Sequence, residues 1–203
     1  VTDKESFDIL SAKGYNVEQI NIDTHKEKQD FGTENFNTIS YLRYKIINKL
    51  LKEDKIVWYL DVDTVVLANL NQIVEQLLSN NELVMQNDLN MPCTGCMLFS
   101  PTKKMIELTN TIYDNKTPLM NDQILFLNIV QQNRFNIKLH LLDCRHFPNG
   151  LIYFNERHPD PKFKQLHDDF KNSQKPVFFV HANWMVGIDT KIKALQSKNL
   201  WYL

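Results

Sequence analysis

A chain of 203 residues carries 23 Lys and Arg against 24 Asp and Glu, for a formal charge of −1. That balance gives no global field to recruit nucleic acid or an anionic membrane, and the length suffices for a full hydrophobic core without staples. No apolar run approaches the ~20 residues of a bilayer span and no leader is visible. Three cysteines cannot complete a disulfide framework, so a soluble protein of a reducing, cytoplasmic compartment is expected.

Val1-Thr2-Asp3 reads as the end of a strand, with Asp3 capping a helix over 4–13 that Gly14 closes. A strand over 17–22 and a polar loop over 25–36 follow. The segment 38–53 has helical periodicity, with Ile39, Leu42, Ile46, Leu50 and Leu51 on one side. A strand over 55–60, a helix over 69–79 and strands over 82–86 and 96–100 come next. Pro101 opens a helix to about 113, and Asn121 is placed to cap another over 122–132. A strand over 137–142 leads to the turn signals Phe147-Pro-Asn-Gly150. A strand over 177–180 ends at His181, and a last helix spans 188–197. Strands and helices alternate without repeats, which predicts an α/β sandwich around a mostly parallel sheet. Ligands of such sheets bind beyond the carboxyl ends of strands. Asp3, Asp61 and His181 all fall there.

The most informative stretch is Ile56-Val-Trp-Tyr-Leu-Asp61-Val62-Asp63-Thr-Val-Val. An apolar run ends on two carboxylates two residues apart, which an extended chain would point to one side. Held together, they repel unless a cation lies between them. Oxygen ligands suit Mg²⁺ or Mn²⁺, ions that keep positions open for substrate phosphates. Cys93-Thr-Gly-Cys96 has redox or zinc spacing. It lacks a second ligand pair, however, and is followed by a strand rather than a helix.

Taken in order, Arg43, Asp61-Val62-Asp63, Asn121-Asp122-Gln123 and His181-Ala-Asn-Trp-Met-Val-Gly187-Ile-Asp-Thr-Lys191 resemble the GT-A fold nucleotide-diphospho-sugar transferases. The likeness extends over nearly the whole chain and is closer to retaining, metal-dependent members. It implies one domain over 1–203, with 1–90 mainly binding the nucleotide and 91–203 mainly serving donor sugar and acceptor. It implies Asp61, Asp63 and His181 as ligands of Mn²⁺ or Mg²⁺, an imidazole favouring Mn²⁺. Thr2, Asp3, Arg43, Lys45, Val62, Gly187 and Lys191 would line the UDP-sugar: a glycine for close approach, a lysine as a point charge. Asp122 and Gln123, opening a helix, would face the donor sugar as the catalytic pair. Cys93-Thr94-Gly95 departs from the Asn-containing motif of many relatives. The implied reaction moves a hexose or deoxyhexose to the hydroxyl of a glycan or glycoconjugate. Retention through front-face attack is preferred, because no strong carboxylate nucleophile stands out beside Gln123. Lysine far outnumbers arginine and asparagine is frequent, a bias of AT-rich genomes such as those of some viruses (large viruses among them), protists or bacteria. The chain could also be one module of a larger enzyme.

Other readings compete. Asp61-Val-Asp63-Thr-Val-Val fits the signature of haloacid-dehalogenase-like phosphatases, in which the first Asp is phosphorylated and the second is the general acid. That family needs a later acidic pair, and Asp168-Asp169 is the only adjacent one. A non-catalytic nucleotide-sugar-binding module is the third reading. Phe147, Phe154, Trp184 and Trp201 are aromatic candidates for stacking on sugars, with core or rim packing as the alternative for each.

Overall fold

The computed structural model describes residues 1, 3–20, 32–132, 134–154 and 159–201. Its elements in chain order are α1 (Lys4–Ala12), α2 (Glu34–Ser40), α3 (Leu42–Lys52), β1 (Val57–Leu60), β2 (Thr64–Val66), α4 (Asn71–Leu78), β3 (Leu83–Asp88) and β4 (Met91–Phe99). They continue with α5 (Lys103–Asp114), α6 (Asp122–Gln131), β5 (Leu139–Leu142), α7 (Gly150–Phe154), α8 (Pro161–Ser173), β6 (Phe179–His181) and α9 (Ile188–Ser197).

A four-stranded sheet has the order β1-β4-β3-β5, and β2 pairs with β6 in a separate ladder. The expected mostly parallel sheet is corrected in its pairings. Only β3 and β5 pair in parallel, while β4 runs antiparallel to both β1 and β3. Three of the four strands still share a direction; β4 lies between two of them and reverses both ladders. It does so through a two-residue hairpin, Leu89-Asn90, with φ of +57° and +70°. Positive φ at both central residues is the turn whose twist matches the flanking strands.

Side chains alternate across the sheet, as the pleat requires. Val57, Tyr59, Leu83, Met85, Met97 and Phe99 face one cluster, closed by residues of α3, α5 and α6. Trp58, Leu60, Val84, Cys96 and Leu98 face the other, closed by α4 and by Phe147 and Phe179. A smaller cluster packs β6 against α9. No helix among the described residues is long and apolar enough to cross a membrane.

The helix expected over 38–53 is broken at Tyr41, giving α2 and α3. The break serves the site. Tyr41 Oη donates to Met120 O at 2.8 Å and Asn37 Nδ2 to Pro118 O at 2.8 Å, anchoring the loop that ends at Asn121. The strand expected over 17–22 does not form at 17–20, and its last two residues lie outside those described. Asp3 caps α1 through Ser6 N at 2.7 Å, as expected, and Gly14 follows with φ +83°.

Asn121 caps α6 with one carboxamide oxygen, which accepts from Gln123 N at 2.8 Å and Ile124 N at 3.4 Å. Asn121→Ala is expected to lower stability by about 1 kcal/mol, the usual cost of a lost cap. Equilibrium urea unfolding checks it; an unchanged midpoint would mean that α6 does not depend on its cap.

Candidate active site

Asp61 follows β1 directly, its N–H donating to Gly95 O at 2.8 Å. Residues 61–63 form a turn rather than an extended strand, with Thr64 N donating to Asp61 O at 3.0 Å. The carboxylates therefore converge because the chain folds back into β2, not because a pleat aligns them. β2 then brings in the third group: Thr64 pairs with His181 and Ala182 N donates to Asp63 O at 2.9 Å. Ligand atoms of Asp61, Asp63 and His181 lie within 4.8 Å of one another.

Each of the three is held. His181 is 2% exposed, its Nδ1 donating to Gln86 Oε1 at 2.8 Å, with Cys93 Sγ at 3.9 Å. That bond turns Nε2 toward Asp63 Oδ1, 3.2 Å away. Gln86, fully buried, gives its amide N–H groups to Phe147 O and Pro148 O, so its oxygen is the end left for the imidazole. Burial alone would depress the His181 pKa; hydrogen bonds to Asp63 and Cys93 raise it to about 10. Burial would raise Asp63, yet His181 and the Lys191 ammonium, 2.5 Å from Oδ2, hold it below the usual carboxylate range. Asp61 accepts from Tyr59 Oη at 2.7 Å.

Arg43 ties this group to the next. Its side chain is only 11% exposed, with Nη1 donating to Thr94 O at 2.8 Å and lying 3.4 Å from Asp61 Oδ1. Nε is 3.7 Å from Asp122 Oδ2, and the guanidinium lies 4.9 Å from the Tyr59 ring centroid. Two carboxylates and a ring surround a buried cation, the arrangement in which such a charge persists. Asp122 is itself 3% exposed and accepts from Tyr44 Oη at 3.3 Å. Gln123 accepts from Thr94 N at 3.3 Å and lines a cavity of about 490 Å³ with Asn37, Met91, Leu119 and Ile124.

Gly95 sits between Asp61 and His181. A Cβ built there would lie 2.5 Å from His181 Cε1 and 2.6 Å from Asp61 Oδ2. The β4 irregularity opposite Met85 and Gln86 delivers this residue, a common use of a bulge beside a site.

Of the residues expected at the site, the structure therefore brings together Arg43, Asp61, Asp63, Asp122, Gln123, His181 and Lys191. Val62, between the two carboxylates, is fully exposed. Gly187 has φ +89° at the start of α9, and open space surrounds the position a Cβ would take, so the glycine is required by backbone angle rather than by crowding. Lys45 is exposed on α3 and makes no ion pair among the described residues; Arg43 holds the place. Asp3 is committed to its cap, and Thr2 lies outside the described residues. Tyr59, Gln86 and Asp88 carry no motif that singles them out. Tyr59 and Gln86 lie inside strand runs that read as core. Cys93 and Cys96 are both free and buried. They touch different surroundings, Cys93 the His181 ring and Cys96 the second core cluster, because the β4 irregularity lies between them. Asp168 and Asp169 lie on α8 and pair with Lys164 and Gln165 of the same helix, far from the role a phosphatase requires.

The residues fit a divalent cation. Two carboxylates and a neutral imidazole Nε2 are a hard, mixed O/N donor set. The Nε2–Asp63 contact is where an ion would replace a proton.

A family described as nucleotide-diphospho-sugar transferase matches residues 1–195. The chain is similar to UDP-D-xylose:L-fucose alpha-1,3-D-xylosyltransferase MGP4 of Arabidopsis thaliana, at 26% identity over 84% of this chain and 51% of that protein. It thus spans about half the length of this curated relative. Among solved structures it is similar to the bifunctional glycosyltransferase WbbM, at TM-score 0.50 and 17% identity over 88% of this chain and 37% of that one. It is also similar to the galactosyltransferase LgtC solved with donor and acceptor sugar analogs, at TM-score 0.48 and 18% identity over 81% of this chain and 68% of that one. The fold is GT-A, and with the match running almost end to end, the chain belongs to the nucleotide-diphospho-sugar transferase family.

Proposed function

We propose that this chain is a metal-dependent glycosyltransferase that moves a sugar from a UDP donor to an acceptor hydroxyl with retention of configuration. The convergence of Asp61, Asp63 and His181 beside Lys191 carries the reading. Asp61, Asp63 and His181 would hold Mn²⁺, the imidazole making it a better fit than Mg²⁺. A bound ion would supply neutralisation of the charge that develops on the departing diphosphate.

The chain's own residues do the rest. Lys191 pairs with Asp63 in this structure; with donor bound it would turn its ammonium to a diphosphate oxygen. Arg43 reaches both Asp61 and Asp122 and fixes the two carboxylates relative to one another. The α6 N-terminus, capped by Asn121, presents Gln123 as a neutral amide toward the donor sugar. Its side chain offers hydrogen bonds and no strong nucleophile, which supports front-face attack over a covalent intermediate. Asp122, paired with Arg43 and Tyr44, is a positioning group in this arrangement rather than a free acid. The donor sugar is a hexose, a deoxyhexose, or the xylose carried by the donor of the Arabidopsis relative. The acceptor is a glycan or glycoconjugate.

The test is thermal unfolding with Mn²⁺, with and without UDP, for the protein and for Asp61→Asn. A ligand confined to the folded state at ~100-fold excess over Kd is expected to raise Tm by about 5–10 °C. Absence of a Mn²⁺-dependent UDP shift, or the same shift in Asp61→Asn, would sink the reading. Where the shift appears, UDP-sugars are screened with UDP-xylose among them, and the anomeric configuration of the product reports on retention.

A further inference from the structure

Trp184 stands apart from the other aromatic candidates. Phe147 is buried in the second core cluster, and Phe154 and Trp201 pack against the third. Trp184 is 50% exposed and has φ +63°, a left-handed backbone that a bulky side chain rarely adopts. Such a conformation persists only where the surroundings impose it, and it clusters at functional sites.

The ring on that backbone is held by Asp88. Trp184 Nε1 donates to Asp88 Oδ1 at 2.6 Å, and the same oxygen accepts from Asn149 Nδ2 at 2.8 Å and Asn183 Nδ2 at 3.5 Å. Asp88 is 7% exposed, and no Lys or Arg reaches it among the described residues. A buried carboxylate is thus satisfied by three neutral donors, one of them a half-exposed indole. The lock adjoins the metal ligands: Asn183 Nδ2 is 3.9 Å from Cys93 Sγ, which is 3.9 Å from His181 Nδ1. Among the described residues the Trp184 indole N–H is given to Asp88 and not to Asp61, Asp63 or His181.

We propose that the Trp184 indole is a stacking platform for the acceptor sugar, oriented by Asp88. The inference rests on the transferase reading above. A pyranose offers a flat face of C–H groups, and a fixed, half-exposed aromatic plane is its natural counterpart. The acceptor must border the metal and diphosphate, because its hydroxyl has to reach the sugar attached to them. Trp184, three residues beyond His181, lies at that border without serving the metal. Asp88 acts through the ring and is a positioning residue.

The experiment uses methyl pyranosides of D-glucose, D-galactose, D-mannose, D-xylose, L-fucose and L-rhamnose, titrated into protein saturated with Mn²⁺ and UDP. Indole N–H resonances are followed by ¹H–¹⁵N spectra, with that of Trp184 identified by its loss in Trp184→Phe. At least one glycoside is expected to move the Trp184 resonance. Trp184→Gly relieves the left-handed backbone but withdraws one of the three donors on Asp88, two opposing effects of similar size, so its Tm is expected to move by no more than a few degrees. In that variant the Mn²⁺-dependent UDP shift is retained and the acceptor KM rises about tenfold or more, Trp184→Phe being intermediate. The proposal is overturned if no glycoside moves the resonance, if Trp184→Gly keeps the acceptor KM, or if it loses the UDP shift. A UDP shift missing from the unaltered protein overturns the transferase reading instead, and this subsite with it.

Discussion

Asp63→Asn is expected to lower sugar transfer by about 1,000-fold or more, the scale on which removal of a preorganised electrostatic group acts. Asp63 is where the site converges: Oδ1 faces His181 Nε2 at 3.2 Å and Oδ2 faces Lys191 Nζ at 2.5 Å. A carboxamide of the same shape loses the charge that would bind the cation and leaves an N–H aimed at one of two cationic groups. The measurement is turnover with the UDP-sugar found by screening, alongside Mn²⁺ affinity. Retained turnover would remove Asp63 from the metal site.

The same substitution has a pH signature in metal-free protein. His181 is raised above its ordinary value, so its contribution is complete below about pH 6.5 and lost as pH climbs toward 10. Asp63 is lowered, so its contribution is present above about pH 4 and lost as pH falls below that. The two describe one pair. The Tm difference between the protein and Asp63→Asn should therefore be largest near pH 5–6 and narrow on either side. A difference that grows steadily from pH 6 to 9 would contradict the pairing.

The convergence of Asp61, Asp63 and His181 was legible because Asp61 and His181 each close an apolar run that a buried strand explains, and because the four motifs keep one order. The route by which the carboxylates meet was not. Alternation along an extended strand predicted it, whereas a turn at 61–63 accomplishes it, and nothing in Asp-Val-Asp distinguishes the two. Local chemistry also hid the hairpin at Leu89-Asn90. Leucine carries no preference for positive φ, so the first half of β4 and its antiparallel direction went unpredicted. With that hairpin went Asp88 and the placement of Cys93 against His181. The α2–α3 break at Tyr41 was invisible for a different reason. The apolar period continues through it, and the cause is a long-range bond from Tyr41 to Met120. Asn121, by contrast, signalled its helix by a cap that depends on neighbours two and three residues away.

Gly95→Ala is expected to cut Mn²⁺ affinity and turnover by about 100-fold each, without unfolding the protein. The added methyl meets two walls that cannot yield cheaply. His181 is packed to 2% exposure with its ring held by Gln86, and Asp61 is held by Tyr59 at 2.7 Å and approached by Arg43 at 3.4 Å. Displacement by even a few tenths of an ångström separates ligands whose value lies in their spacing. Overpacking of this kind costs about 1–3 kcal/mol, which a domain of this size tolerates. Alanine is otherwise easy there, because no left-handed backbone is involved. Stability and metal affinity are thus expected to part: a small fall in Tm without metal, and a large loss of the Mn²⁺-dependent rise. Calorimetric titration with Mn²⁺ separates them. Wild-type affinity in Gly95→Ala would mean that Asp61 and His181 do not hold one ion between them, and the metal centre would have to be rebuilt around Asp63 alone.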